Sequence, residues 1–259
     1  EFDESYKKSF LALKNESIDN ILIGDVFKLN SKYSKLATVF FPHMLSTRAY
    51  GMFSPMDAWN NDKLLKKAVA LCKKYCKNPT MRTLYSKLMV VSRTQCVSNF
   101  RPDVAKAIYD LYGGDKVYDF SMGYGGRLVG FLASNCKQYV GTDVNEQNFS
   151  CYDKLIEAYK QDEKEVRLYK IPAEEFYFEE YDNYFDLAFS SPPYFKKEIY
   201  SDDENQSCNK YKEFEEWLDK FLNPTIINCY KMVKSNGYFI ININNVNLNS
   251  KKYDLITPT

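Results

Sequence analysis

Between residues 103 and 112 the apolar side chains Val104, Ile108 and Leu111 recur at helical spacing, and Gly113-Gly114 stops the helix they predict. The period then changes. Residues 116–120 form a short β-prone run, 123–126 a glycine turn and 127–134 a helical stretch. Runs at 138–142, 166–170, 185–190 and 237–243 predict four more strands, the last apolar enough to be central. Helical patterns at 146–160 and 211–234 lie among them, with Pro224 breaking or restarting the second. Strands alternating with helices argue for a parallel sheet covered on both faces, which binds ligands at the carboxyl ends of its strands. Residues 1–97 lack this alternation and read as mostly helical, with 37–41 the best strand candidate. The fifth strand ends about sixteen residues before Thr259. Either residues 1–97 complete the sheet or further strands lie beyond the end of the chain.

Composition narrows the chemistry. With 259 residues, 45% of them hydrophobic and 27% charged, the chain can bury a sizeable core and wholesale disorder is excluded. Its apolar runs fall short of the ~18–20 residues a membrane span needs, so no membrane partner is expected. The single His43 excludes multi-histidine zinc sites, and any triad or His-paired cysteine would have to use that one residue. Seven cysteines without a C-x-x-C pair predict reduced thiols in a cytoplasmic protein, with Cys72 and Cys76 on one helix rather than in a metal knuckle. The net charge of +1 is unevenly spread. Residues 62–116 carry +8 and the remainder −7, which reads as a phosphate-facing surface beside an acidic body.

Three local patterns carry candidate chemistry. Asp119-Phe120-Ser121-Met122-Gly123-Tyr124-Gly125-Gly126 lies between a strand and a helix, where glycines let the backbone fold tightly under a ligand. The second strand ends in Gly141-Thr142-Asp143, and an acid there can take both ribose hydroxyls of a nucleoside. Position 128, where a dinucleotide fingerprint needs a third small residue, is Leu128. The fourth strand runs into Ser191-Pro192-Pro193-Tyr194. Two prolines fix the backbone and remove two donors. The Ser191 hydroxyl and the Pro192 carbonyl can then both accept from one amino group, while Tyr194 offers a flat ring for stacking.

Together these elements resemble the S-adenosylmethionine-dependent amino-methyltransferases that modify DNA at adenine N6 or cytosine N4. More loosely, they resemble the methylases of phages and mobile elements. In that family a D-x-F-x-G-x-G turn carries the cofactor, an acidic residue holds its ribose and a [DNS]-P-P-[YFW] loop holds the target amine. The resemblance spans residues 98–245, and Ser121 departs from it, standing where the family usually has Phe. Asn99-Phe100-Arg101-Pro102 looks like the element that closes over the methionine end.

The resemblance implies an α/β, Rossmann-like class I methyltransferase fold, a mostly parallel sheet with helices on both faces. A largely helical N-terminal region (1–97) would precede the methyltransferase core (98–259). It implies S-adenosylmethionine as cofactor, held by Phe100, Asp119, Ser121, Gly123, Gly125, Asp143 and Glu174, with no metal. Ser191, Pro192, Pro193 and Tyr194 become the catalytic loop, acting on a flipped DNA base. Ser191, rather than Asp or Asn, favours cytosine N4. No Pro-Cys dipeptide is present, which argues against a cysteine nucleophile. DNA is expected against 62–116 and against 195–210, a stretch too polar for core that reads as a surface loop or a lid. The same resemblance accommodates RNA or a protein glutamine as acceptor. It also accommodates a non-catalytic subunit, a partner subunit or homodimer, and a place in restriction–modification.

Overall fold

A computed structural model describes residues 3–28, 32–160, 163–200 and 203–259. The N-terminal part comprises α1 (Glu4–Lys14), the short paired strands β1 (Leu22–Ile23) and β2 (Val26–Phe27), α2 (Lys35–Thr38) and β3 (Arg48–Ala49). It continues through α3 (Pro55–Trp59), α4 (Asp62–Tyr75) and α5 (Met81–Ser92) to α6 (Pro102–Tyr112), whose first turn holds Pro102 where no intrahelical donor is needed. The alternating part follows: β4 (Lys116–Asp119), α7 (Gly126–Ala133), β5 (Gln138–Asp143), α8 (Glu146–Tyr159), β6 (Glu165–Lys170) and β7 (Phe185–Ser190). After β8 (Glu198–Ile199) come α9 (Ser207–Lys210), α10 (Phe214–Trp217), α11 (Asn223–Met232), β9 (Val233–Ile241) and the hairpin β10 (Val246–Leu248) and β11 (Lys251–Tyr253).

The five main strands form one sheet in the order β6-β5-β4-β7-β9, every pair parallel. Side chains alternate across it. Val117 and Leu187 face a core shared with α6, α7 and α8, whereas Tyr118 and Ala188 face a second core built around Phe176, Trp217 and Phe221. Helices thus cover both faces, as the strand–helix alternation predicts.

Several expectations change. Residues 37–41 are not a strand: α2 runs through Ala37, and the chain turns to bury Phe41 against Tyr124 and Tyr152. Packing of the aromatic side chain overrides the β-propensity of that run. Among the described residues, none before Lys116 joins the central sheet; β3 pairs antiparallel with β8 instead. One hydrophobic core also spans position 97/98. Phe10, Leu13, Tyr33, Leu36 and Phe41 belong to the same core as α7 and α8, with Phe10 stacked 4.5 Å from Tyr159. Only α3, α4 and α5 close a small core of their own, around Ala58, Ala68 and Leu88. The helical stretch expected at 211–234 is divided. Leu218–Leu222 forms a π-helical turn, Pro224 sits in the first turn of α11, and Val233 already begins β9. Cys72 lies in α4 and Cys76 caps its end, and no helix is long and apolar enough to cross a membrane among the described residues.

Helices α6 and α7 meet closely at Gly130, where a Cβ would lie 2.5 Å from Ala105 Cβ and 2.8 Å from the Lys106 nitrogen. Both neighbours are fixed by the helix, so Gly130→Ala should cost about 1–3 kcal/mol by overpacking. A lowered urea midpoint at constant slope is the expected result; an unchanged midpoint would show that the two helices separate freely.

Candidate functional site

The chain order reverses between β4 and β7, and loops leaving two such strand ends part to open a crevice. Asp119 ends β4 and Ser190 ends β7, and the Ser190 hydroxyl donates to Asp119 Oδ1 at 2.6 Å. Asp119 Oδ2 accepts from Arg127 Nε at 2.9 Å and from the Tyr139 hydroxyl at 2.7 Å, and Arg127 also reaches the Ser121 carbonyl. The Asp119 side chain is 0% exposed and that of Arg127 5%. Burial works against the guanidinium charge, but Asp119 outweighs it and the Arg127 pKa is raised. Burial, reinforced by Asp119, pushes the Tyr139 phenol well up, so it stays a donor. Asp119 was expected to touch the cofactor. It lines neither of the two clefts at this site. A carboxylate ending a central strand, covered on both faces, must be solvated by protein donors, and this one anchors the turn from beneath.

Gly123 and Gly125 take left-handed backbone, with φ of +58° and +72°. A Cβ on Gly125 would press on Phe41 and Leu155 at 2.9 Å, while one on Gly123 would meet nothing nearer than 4.0 Å, leaving that backbone bare. The Gly123 nitrogen donates to Asp143 Oδ2 at 2.9 Å, which also receives the Tyr152 hydroxyl at 2.8 Å and Asn148 Nδ2 at 3.3 Å. Asp143 Oδ1 accepts the Asn145 nitrogen at 2.8 Å, its one protein donor among the described residues. Burial raises the Asp143 pKa, and these hydrogen bonds offset it only in part.

Two clefts meet here. One runs from the turn past Asp143 to Ile171, Pro172 and Glu174; the other runs from Phe100 and Arg127 to Pro192, Tyr194 and Asn242. Ser121, Gly123, Tyr124, Ser191 and Tyr200 stand in the walls of both, and Pro193 lines the first. Phe100 packs edge-on against Phe189 at 5.3 Å, and Asn99 Nδ2 donates to the Tyr124 carbonyl at 2.6 Å, so this element rests on the glycine turn. The Glu174 carboxylate, 5% exposed, is engaged by Lys210 Nζ at 3.1 Å and the Tyr211 hydroxyl at 3.2 Å.

The stretch 195–210 is more firmly held than its polarity predicts. Phe195 is buried among Phe214, Trp217 and Tyr253 at 5.3–5.9 Å, and Trp217 Nε1 donates to Ser207 Oγ at 3.1 Å. One aromatic anchor and a few small buried residues suffice to dock an otherwise charged segment. Ser201 and Asp202 of that stretch lie outside the described residues. Of the twelve cations in 62–116, Lys106 is buried on Asp110 at 2.6 Å and Lys116 lies 3.8 Å from the Tyr184 ring centroid, so neither is part of an open basic face. Lys66, Lys67, Lys73 and Lys74 on α4 are exposed.

Sequence reasoning missed Asn148, Tyr152, Tyr124 and Asn242. Asn148 and Tyr152 stand one turn apart on α8, Tyr124 lies inside the glycine turn and Asn242 follows β9, so only the folded chain brings them together. His43 joins them as a supporting residue, its Nε2 lying 2.8 Å from Asn148 Oδ1. Thr47 hydrogen-bonds the Tyr124 hydroxyl, and the Tyr50 nitrogen donates to the Lys197 carbonyl at 2.7 Å, so the N-terminal segment forms part of the site's wall. No cluster of three metal-ligating side chains occurs among the described residues.

Comparison with protein-family models and with curated proteins gives no match. Among solved structures, similarity extends to an S-adenosylmethionine-dependent O-methyltransferase from Thermotoga maritima, at 14% identity and TM-score 0.39, over 66% of this chain and 51% of that one. It extends also to a putative S-adenosyl-L-methionine-dependent methyltransferase from Methanococcus maripaludis, at 15% identity and TM-score 0.39, over 72% and 62% respectively. A third is phosphoethanolamine N-methyltransferase 1 from Haemonchus contortus, at 11% identity and TM-score 0.37, over 68% and 32%. The chain spans less than two thirds of each of these proteins.

Asp119→Asn keeps the shape but leaves the buried Arg127 charge uncompensated. Removing one partner of such a pair costs about 3–5 kcal/mol, read as a drop in the urea midpoint. Stability within 1 kcal/mol of the parent, on the order of one lost neutral hydrogen bond, would mean the cluster does not anchor the site.

Proposed function

We propose that this protein transfers a methyl group from S-adenosylmethionine to the exocyclic amino nitrogen of a flipped DNA base. Cytosine N4 is preferred over adenine N6. The observation that carries this reading is the place of Ser191, in the wall common to two clefts. One cleft leads to a partly satisfied carboxylate and bare glycine backbone; the other leads to an aromatic ring beside a proline carbonyl. The first suits a nucleoside: Asp143 Oδ1 has a lone pair for ribose hydroxyls, and the Gly123 backbone admits close approach. Asp143, Gly123 and the first-cleft wall at Glu174 would hold the nucleoside, with the methionine end passing the shared Ser121–Gly123 wall toward Phe100 at the start of the second cleft.

When bound, S-adenosylmethionine supplies an electrophilic methyl on sulfonium. The rest of the work falls to the chain. An aromatic amine is a poor nucleophile because its lone pair is delocalised into the ring. Ser191 Oγ and the Pro192 carbonyl, accepting from the two N–H bonds, pull the nitrogen toward sp³ geometry and free that lone pair. Tyr194 stacks on the extruded ring. The bound group would give up its methyl to the freed lone pair and leave as the neutral thioether, and the nitrogen would shed one proton to water. Positioning and electrostatics supply the rate enhancement, without a covalent intermediate. The exposed lysines of α4 suit duplex phosphates.

Calorimetry should detect S-adenosylmethionine binding, weakened about tenfold or more in Asp143→Ala, the worth of one hydrogen bond to a charged acceptor. The ribose needs the ionised carboxylate, and the Asp143 pKa is raised. Affinity should therefore fall on acidification, beginning above the pH at which an ordinary aspartate protonates. Absence of binding heat, or pH-independent affinity, would contradict the assignment.

Tritiated methyl transfer offered in parallel to DNA, RNA and protein should label DNA. Charge reversal at Lys66, Lys67, Lys73 and Lys74 should flatten the salt dependence of DNA binding. Label only in RNA or protein would reassign the acceptor; an unchanged salt slope would remove α4 from the interface.

A further inference from the structure

Ser191 is a hydroxyl, which has one donor and two lone pairs and rotates freely. A carboxylate at that position could only accept from the substrate amine. A hydroxyl could instead present its own proton to the amine and oppose it. If Ser191 is to act as an acceptor, something must hold its proton away from the cleft.

The residues around it form a closed ring. Asn242 Nδ2 donates to Ser191 Oγ and to the Tyr194 hydroxyl, each at 3.1 Å. The Tyr194 hydroxyl donates to the Asn242 carbonyl at 2.9 Å, and Ser191 Oγ lies 3.2 Å from the Tyr194 oxygen. The ring is held in register by the sheet, because the Asn242 nitrogen donates to the Ser190 carbonyl at 2.9 Å, just beyond β9.

The Tyr194 proton goes to the nearer partner, a backbone carbonyl that can only accept, and this fixes the other protons. The amide nitrogen of Asn242 only donates, and the Tyr194 proton is committed to the Asn242 carbonyl. The acceptor left for the Ser191 proton is therefore the Tyr194 oxygen. One Ser191 lone pair receives Asn242 Nδ2–H, and one remains. We propose that Asn242 and the Tyr194 hydroxyl are positioning residues that fix the Ser191 rotor, so that this remaining lone pair faces the substrate amine. The inference rests on the reading of Ser191 as the amine acceptor. It gives Tyr194 a second task beside ring stacking, one that a phenylalanine cannot perform.

The test uses the whole chain and compares Tyr194→Phe, Asn242→Ala and the double variant. Each single change should lower kcat about tenfold to a hundredfold, the scale of a misdirected catalytic group. S-adenosylmethionine affinity by calorimetry, KM for DNA and the urea midpoint should stay near the parent values, because the ring, the cofactor cleft and the sheet are retained. The double variant should be no slower than the worse single, since both residues serve one rotor. In a Ser191→Asp background, where there is no hydroxyl proton to place, Tyr194→Phe should lose most of its effect. Rates within about twofold of the parent for both singles, or losses that multiply in the double variant, would overturn the assignment while leaving methyl transfer intact. A parent enzyme that methylates no acceptor would overturn the proposed function and this inference with it.

Discussion

The Asp119 carboxylate is the constraint on which the site depends. It sits at the one place in the sheet where chain order reverses, fully buried, and a buried charge tolerates little freedom in its partners. It has four donors: Arg127 from α7, Tyr139 from β5, Ser190 from the end of β7 and, at 3.3 Å, the Ser121 nitrogen of the turn itself. Satisfying one charge therefore sets the start of α7, the height of the glycine turn and the end of the strand that delivers Ser191. The cleft is shaped above this cluster. The Gly123 nitrogen is free to bind Asp143 because the turn beneath it is already tied down.

The N-terminal segment is part of this machinery. Phe41 packs against Tyr124 and Tyr152, His43 supports Asn148, Thr47 holds the Tyr124 hydroxyl and β3 pairs with β8 just after the Ser-Pro-Pro-Tyr loop. Residues far apart in the chain thus brace both the turn and the Ser-Pro-Pro-Tyr loop. The solitary histidine finds its place here. It steadies an amide that steadies Asp143, and the methyl-transfer chemistry proposed for the site needs no imidazole.

Much of the fold could be read from periodicity. The strands at Lys116–Asp119, Gln138–Asp143, Glu165–Lys170 and Phe185–Ser190 fall within a residue or so of their apolar runs, and α6 ends at Tyr112 before its glycines. What could not be read depended on tertiary partners. The run at 37–41 has β-propensity, yet Phe41 is better buried in a turn. Lys106 looks like a surface cation until Asp110 and the Glu16 carbonyl are seen around it. At the site, Asp143 and the Ser-Pro-Pro-Tyr loop stood out because strand ends are positions with meaning. Asn242 did not, because an asparagine just beyond β9 gains its role only through neighbours about fifty residues away. Asp119 was found at its strand end, but the ring of Arg127, Tyr139 and Ser190 around its carboxylate is not legible in sequence, which shows that an acid ends a strand and not which way it faces.

The central claim is that a nucleoside cofactor and an amino acceptor meet at Ser191 from opposite clefts. The most direct measurement is a crystal structure of the protein with S-adenosylhomocysteine. The account predicts ribose hydroxyls on Asp143, Phe100 closed over the amino-acid end and the sulfur facing Ser191 Oγ. A nucleoside seated in the Tyr194 cleft, or a sulfur directed away from Ser191 with Asp143 untouched, would contradict it.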